Sequence, residues 1–227
     1  MNWSVDDAAE IQRGALLRVV LALFTSLRIL VGGTASKPTV LRRNRRFLWI
    51  LLRPAEAATR RLIVIAARRM EIAPFDAVAA KLAPKREQGK PRFPLIDPRK
   101  DFGERSRKPK GPGPRITEIG VDRREPTPEK PLRLDDDAVD ATRLLRRLRA
   151  IRAALEDIPA QARRLVAHQS ALPAAKRLPP MRPGLPPGNR ERGRHEVHDI
   201  LSACHGLARL ALDDLWRERQ ASGVTPG

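Results

Sequence analysis

Arginine is the residue type in this chain whose number and spacing could support binding chemistry. Residues 37–70 contain ten Lys or Arg and one acidic residue, a net charge of +9 in a chain whose formal net charge is +19. Arg46, Arg53, Arg60 and Arg68 are separated by seven, seven and eight residues, so one continuous helix would place them along a single stripe. Such an array can neutralise the phosphates of nucleic acid or the headgroups of anionic lipid. The pattern therefore predicts either an anionic partner, which would be nucleic acid or a membrane surface, or a solvated cationic face over an ordinary helical core.

Other arginines lie beside this stripe and in a second cationic segment. Residues 173–194 carry six basic residues and one acidic residue and are rich in Pro and Gly, which is typical of an extended, polyproline-like chain. Arginines on an extended chain could follow a phosphate backbone. The complete set of residues predicted to bind nucleic acid or an anionic surface is Arg42, Arg43, Arg45, Arg46, Arg53, Arg60, Arg61, Arg68, Arg69, Arg182, Arg190, Arg192 and Arg194.

Histidines are the other candidate chemical groups, because His195, His198 and His205 lie within eleven residues. The first two have i, i+3 spacing, whereas a zinc-binding helix uses i, i+4. His205 would lie about 10.5 Å further along a helix, too far for one metal ion to reach from the same helix. The sequence also has no phosphate-binding glycine loop and no nucleophile motif. We therefore predict a protein that is not an enzyme and expect no metal, no cofactor and no small-molecule substrate.

The composition indicates small ordered parts. The chain has 21 Pro and 14 Gly, only 4% aromatic residues and no Tyr, so the large rigid side chains that fill cores are scarce. The single cysteine, Cys204, excludes an intrachain disulfide. It lies on the apolar face of a predicted C-terminal helix, which favours a core residue over a nucleophile. We expect a cytoplasmic protein, with peripheral attachment to the inner face of a membrane as the alternative.

These patterns predict an all-α fold of small amphipathic helices joined by long, disordered linkers rich in Pro, Gly and Arg, with no substantial β-sheet. Residues 93–96 lie within the first linker and form either a short docking peptide or an incidental apolar patch. The predicted regions are a basic and apolar helical region at 1–83, a disordered cationic linker at 84–134, a heptad-patterned helix or helical hairpin at 135–172, a Pro-rich cationic linker at 173–194, and an amphipathic helix with a tail at 195–227.

The first predicted helix begins after Ser4, a good N-cap residue, and contains the most hydrophobic window of the chain, residues 14–32. Arg18 and Arg28 interrupt this window, and the longest uncharged run, residues 19–27, has nine residues. A membrane span requires about 20 residues. Three interpretations remain open: a buried amphipathic helix, a helix in the membrane interface, and a true span.

Two further helices are predicted at residues 39–52 and 55–70, with a break or a kink at Pro54. A later helix carries apolar residues at alternating four- and three-residue spacing, which is a heptad seam. The seam predicts either one arm of an intramolecular helical hairpin or contact with a partner helix or a second copy. Pro159 is expected to kink this helix or to start another. The predicted seam residues are Leu144, Leu148, Ile151, Leu155 and Ile158.

The function that these patterns favour is non-catalytic binding of nucleic acid without strong sequence preference. A membrane-associated adaptor that uses the helices at residues 14–32 and 39–70 is the first alternative. The second is a protein–protein scaffold that self-associates or binds a partner through the heptad at residues 144–165.

Overall fold

The computed structural model describes residues 4–34, 37–68, 70, 92–98, 135–173, 179–182, 184–189 and 195–221. Within these ranges the chain is mostly helical, which confirms the predicted fold class. The predicted disordered linkers fall largely outside the described residues. The elements in chain order are α1 (Val5–Leu30), β1 (Gly32–Thr34), β2 (Lys37–Leu41), α2 (Arg42–Ala67), β3 (Ala138–Asp140), α3 (Thr142–Glu156), α4 (Ile158–Ser170) and α5 (Glu196–Ala221).

Helix α1 begins at the predicted cap. The Ser4 hydroxyl accepts a hydrogen bond from the Asp7 N–H at 3.1 Å, and the Asp7 carboxylate accepts one from the Ser4 N–H at 3.3 Å. This reciprocal pair satisfies backbone donors that a helix start leaves without partners. Leu16, Val20 and Leu27 point into the core and are fully buried, so one face of α1 is a core face.

A small antiparallel sheet connects the N-terminal helices to the second half of the chain. Strands β1 and β2 form a hairpin between α1 and α2, and β3 pairs with β2 so that Val40 lies opposite Val139. Because α2 follows β2 and α3 follows β3, this pairing brings the beginnings of both helices to the same sheet.

Helix α2 is the central helix and contacts each of the other four helices of the described chain. It runs from Arg42 to Ala67 without interruption at Pro54, so the prediction of two separate helices is wrong. Proline in a helix interior costs about 3 kcal/mol. Every residue from 54 to 65 is buried, and the packing of this entirely enclosed segment offsets that cost.

Helices α3 and α4 are separated at Asp157, whose carboxylate accepts a hydrogen bond from the Ala160 N–H at 3.0 Å. Pro159 lies in the first turn of α4, where its missing N–H removes no helical hydrogen bond. The expectation that Pro159 starts a second helix is confirmed.

Residues 92–98 dock onto the helices of their own chain. Phe93 and Leu95 are buried in the core, the Arg164 guanidinium donates a hydrogen bond to the Phe93 carbonyl, and the Asp97 N–H donates to the Pro180 carbonyl at 2.9 Å. The apolar island at 93–96 is therefore an intramolecular docking peptide, and its interpretation as an incidental patch is wrong.

Gly188 lies close to the backbone of α2. Its φ is +85°, and a Cβ added there would lie 2.7 Å from the backbone N of Pro54. We expect Gly188→Ala to lower the free energy of unfolding by about 1–3 kcal/mol, from left-handed strain together with the clash. Urea denaturation measures the change.

Gly184 provides the matched control for this substitution. Its φ is +78°, but a Cβ there would meet no atom within 4 Å, so Gly184→Ala introduces strain without a clash. An equal or smaller loss for Gly188→Ala than for Gly184→Ala would contradict the close contact with α2.

Candidate nucleic-acid interface

The second half of the predicted arginine stripe lies inside the protein. The side chains of Arg60 and Arg61 are 3% and 0% exposed, and both pair with Asp97: Arg60 Nε lies 2.7 Å from Oδ1, and Arg61 Nη2 lies 2.8 Å from Oδ2. The Arg68 side chain is 5% exposed, and its Nη2 lies 2.8 Å from Asp6 Oδ2. These three arginines hold the fold together and do not face an external partner.

Asp97 is the counter-ion of the buried cluster. Burial by itself would raise the pKa of its carboxyl group, but hydrogen bonds and positive charge from Arg61 and Arg60 outweigh that effect and lower the pKa below its ordinary value. The Arg182 N–H also donates to Asp97 Oδ2 at 3.3 Å. Asp97 is therefore an ionised carboxylate that joins α2 to two connecting segments.

The first half of the stripe lies at the surface and faces a run of aspartates. Arg43 and Arg46 have side chains that are 60% and 72% exposed. Ion pairs at such exposure contribute only about 0–1 kcal/mol, so a phosphate can replace these carboxylates at little cost. The pairs and their N···O distances are Arg42–Asp137 at 3.2 Å, Arg43–Asp136 at 3.1 Å and Arg46–Asp135 at 3.0 Å.

Arg45 lies beside another aspartate of the same region. Hydrogen bonds from the Thr142 side chain and backbone lower the pKa of Asp140, and the positive charge of Arg45 lowers it further. The predicted binding residues at the start of α2 thus lie next to β3 and residues 135–137. The charge pattern of the sequence did not predict this contact.

Trp49 joins the exposed arginines of α2 to those of α3. The guanidinium carbons of Arg147, Arg53 and Arg143 lie 4.3, 5.8 and 5.9 Å from the centre of the Trp49 ring. Cations over an indole face are attracted by its quadrupole. Arg147 is also held by a two-point pairing with the buried Glu56, whereas Arg53 and Arg143 are exposed. Trp49 therefore fixes cationic side chains at the junction of the two helices.

Helix α3 adds arginines that are not among the binding residues predicted from the sequence. Arg143, Arg146, Arg149 and Arg152 follow one another at three-residue spacing and are all exposed. Arg152 pairs with Glu156 at 2.7 Å, whereas Arg146 and Arg149 form no ion pair with any residue that the structure describes. The sequence does contain a signal for these arginines, because they fall on the side of the helix opposite the heptad seam. We define the basic surface as Arg43, Arg46, Arg53, Arg143, Arg146 and Arg149.

The predicted partner-helix residues are part of the protein's own core. All five seam side chains are buried, with exposed fractions between 0% and 8%. The seam therefore packs within the molecule, and these five residues do not form an exposed stripe that another helix could contact. The residues concerned are Leu144, Leu148, Ile151, Leu155 and Ile158.

The remaining predicted arginines add little to the basic surface. Arg182 Nε donates a hydrogen bond to the Leu185 carbonyl at 2.8 Å, which fixes a turn of the docked segment. The side chains of Arg69, Arg190, Arg192 and Arg194 lie outside the described residues.

Cys204 and His205 occupy the contact between α5 and α2. Cys204 is fully buried, and burial raises the pKa of its thiol to about 12, so the thiol stays protonated and unreactive at neutral pH. Its interpretation as a core residue is confirmed. His205 Nδ1 accepts a hydrogen bond from Arg61 Nε at 3.4 Å. Burial lowers the pKa of His205, and the charges of Arg61 and Arg209 lower it further.

The membrane-span interpretation of residues 14–32 is not supported, because none of the helices in the described ranges combines the length and apolar character that crossing a bilayer requires.

Comparisons of the chain with protein-family models, curated proteins and solved structures gave no significant match. A function for this protein is therefore inferred from the charge and exposure of its basic surface.

Proposed function

We propose that the protein binds nucleic acid through the basic surface, without strong sequence preference and without catalysis. The observation that carries the proposal is the row of exposed arginines on α3, in which Arg146 and Arg149 have no acidic partner among the described residues. Arg143 and Arg53 extend the positive charge across Trp49 to α2.

The spacing of the α3 arginines fits a phosphate backbone. Six residues of helix separate Arg143 from Arg149, about 9 Å along the axis, and one DNA strand carries a phosphate every ~3.4 Å of duplex axis. The row can therefore contact two to three phosphates of one strand. Contacts to phosphate fix position but carry no base information, which is why we propose binding with little sequence preference.

The aspartates beside Arg43 and Arg46 do not prevent this contact. Both ion pairs are mostly exposed, and phosphate offers a guanidinium group the same charge-assisted hydrogen bonds as carboxylate. Binding would exchange one anionic partner for another, so the cost of uncovering these arginines is small.

The salt dependence of binding tests the proposal. If six arginines each neutralise one phosphate, affinity for a short DNA duplex should fall by a factor on the order of 10³ between 50 and 200 mM salt. Fluorescence anisotropy with a labelled duplex measures it. Affinity that stays constant over this range would exclude phosphate neutralisation as the basis of binding.

The paired substitution Arg146→Gln with Arg149→Gln localises the contact. These arginines are exposed and unpaired within the described chain, so the fold should be retained, and the slope of log affinity against log salt should decrease by about 2. The matched control is Arg163→Gln with Arg209→Gln, which removes the same charge from exposed positions on α4 and α5. Equal effects of the two variants would show that net charge, rather than the basic surface, determines binding.

A further inference from the structure

Helix α1 carries a second apolar face, directed away from the core. Ile11, Leu21 and Ile29 are 53%, 41% and 78% exposed. At 100° per residue they fall within a sector opposite the one that contains the buried Leu16 and Leu27. The helix therefore carries large aliphatic side chains on two sides, and the protein's own core covers only one of them.

Two arginines and one threonine lie within this outward face, which we call the α1 outer face: Ile11, Arg18, Leu21, Thr25, Arg28 and Ile29. The Thr25 hydroxyl donates a hydrogen bond to the Leu21 carbonyl at 3.2 Å. Both guanidinium groups are exposed, and neither forms an ion pair with a described residue. After Glu10, α1 contains no acidic residue. From Ile11 to Ile29 the surface is thus apolar and cationic, and the acid at its N-terminal end, Glu10, pairs with Arg13.

The α1 outer face is poorly suited to pairing with a second copy of itself. A two-fold arrangement would bring together four guanidinium groups, those of Arg18 and Arg28 from both copies. The nearest carboxylate of α1, Glu10, already pairs with Arg13, so charge would be buried without full pairing, which is strongly unfavourable. Nucleic acid would accept the arginines, but the exposed Ile29 and Leu21 would gain nothing from phosphate. An anionic bilayer surface satisfies both properties, because aliphatic side chains enter the acyl boundary while arginines reach the headgroups.

We propose that the α1 outer face binds the surface of an anionic membrane, with α1 lying parallel to the bilayer plane. Ile11 and Ile29 are eighteen residues apart, about 27 Å along the helix, so the contact is long and shallow. The core face of α1 stays packed against α2, α3 and α5, and the helix does not need to leave the bundle. This inference is independent of the proposed nucleic-acid binding, because it uses different residues on a different helix.

Sedimentation with lipid vesicles tests the membrane contact. The protein should co-sediment with vesicles that contain about 30% phosphatidylglycerol in phosphatidylcholine and much less with pure phosphatidylcholine, since each basic residue near an anionic surface adds about 1 kcal/mol, or roughly fivefold in affinity. The substitutions Leu21→Gln and Ile29→Gln together should lower the affinity for anionic vesicles by about tenfold or more, because aliphatic burial is lost. Arg18→Gln with Arg28→Gln should also weaken binding.

The matched control for the apolar change is Leu210→Gln with Leu212→Gln, at positions on α5 that are 53% and 38% exposed. This variant should bind vesicles like the unsubstituted protein. Circular dichroism checks the folding of each variant, and DNA affinity should be unchanged in Leu21→Gln with Ile29→Gln. The proposal would be overturned if the protein did not bind anionic vesicles. It would also be overturned if Leu21→Gln with Ile29→Gln bound them as tightly as Leu210→Gln with Leu212→Gln. Dissociation of an oligomer by Leu21→Gln with Ile29→Gln would assign the face to a second copy instead.

Discussion

Replacement of Asp97 by Ala is expected to lower the free energy of unfolding by about 3–5 kcal/mol, the range for removing one partner of a buried ion pair. Asp97 is the counter-ion of both Arg60 and Arg61, whose side chains are 3% and 0% exposed. Without it, two guanidinium groups remain in the interior without a counter-ion, and the uncharged groups that still accept hydrogen bonds from Arg61 among the described residues are the Ala57 carbonyl at 2.8 Å and His205 Nδ1 at 3.4 Å. Chemical denaturation followed by circular dichroism measures the loss.

Asp136→Ala is the matched control, because it also removes an aspartate that pairs with an arginine of α2. The Arg43 and Asp136 side chains are 60% and 72% exposed, so their pair should contribute no more than about 1 kcal/mol. Similar losses for the two alanine variants would contradict the burial of the Asp97 cluster.

The pH dependence of stability provides a second measurement on Asp97. Its pKa in the folded protein is lower than the ordinary value because of Arg61 and Arg60. The stability that it contributes is therefore present above the unfolded pKa of about 3.9 and is lost as pH falls through the folded pKa. The difference between the unsubstituted protein and Asp97→Ala should be constant near neutral pH and should shrink below about pH 4.

Helix periodicity and capping signals were enough to predict the helical elements. Ser4 caps α1 as expected, and Pro159 starts α4. The continuity of α2 was not predictable in the same way. Local rules end or kink a helix near Pro54, whereas the structure encloses residues 54–65 on all sides, and tertiary packing of this kind overrides a local preference.

The arginine stripe shows why charge spacing alone did not define the surface. Seven-residue spacing correctly aligned Arg46, Arg53 and Arg60 on one helix, but it gave no information on which turns of that helix were exposed. The carboxylate that neutralises Arg60 lies 37 residues later, in a Pro-rich segment. Only the folded chain shows that Arg60 is internal while Arg53 remains at the surface.

The β3 strand was also outside the reach of sequence patterns. It has three residues, Ala138–Asp140, too few for a two-residue alternation to be visible. Its pairing with β2 nevertheless places the preceding aspartates beside Arg42 and Arg43, whose backbone N–H groups donate to the Asp137 and Asp135 carbonyls, both at 2.9 Å. Short non-local pairing thus determined the surroundings of the predicted binding residues.

Leu148→Ala is expected to lower the free energy of unfolding by about 2–5 kcal/mol, because the substitution removes three buried carbon atoms and leaves a cavity. Leu148 is 1% exposed, and it packs in the same core cluster as Leu52 and Ile151. Urea denaturation at several protein concentrations measures the size of the loss. It also distinguishes packing within one chain from packing between chains.

Leu210→Ala is the control for the same change at an exposed position, since Leu210 is 53% exposed and its truncation should alter stability by no more than about 0.5 kcal/mol. An intramolecular seam requires that the denaturation midpoint of the unsubstituted protein does not depend on protein concentration. A coiled coil between chains would instead make the midpoint rise with concentration, because association stabilises the folded state by mass action. Concentration dependence in the unsubstituted protein that disappears in Leu148→Ala would restore the seam as a binding surface.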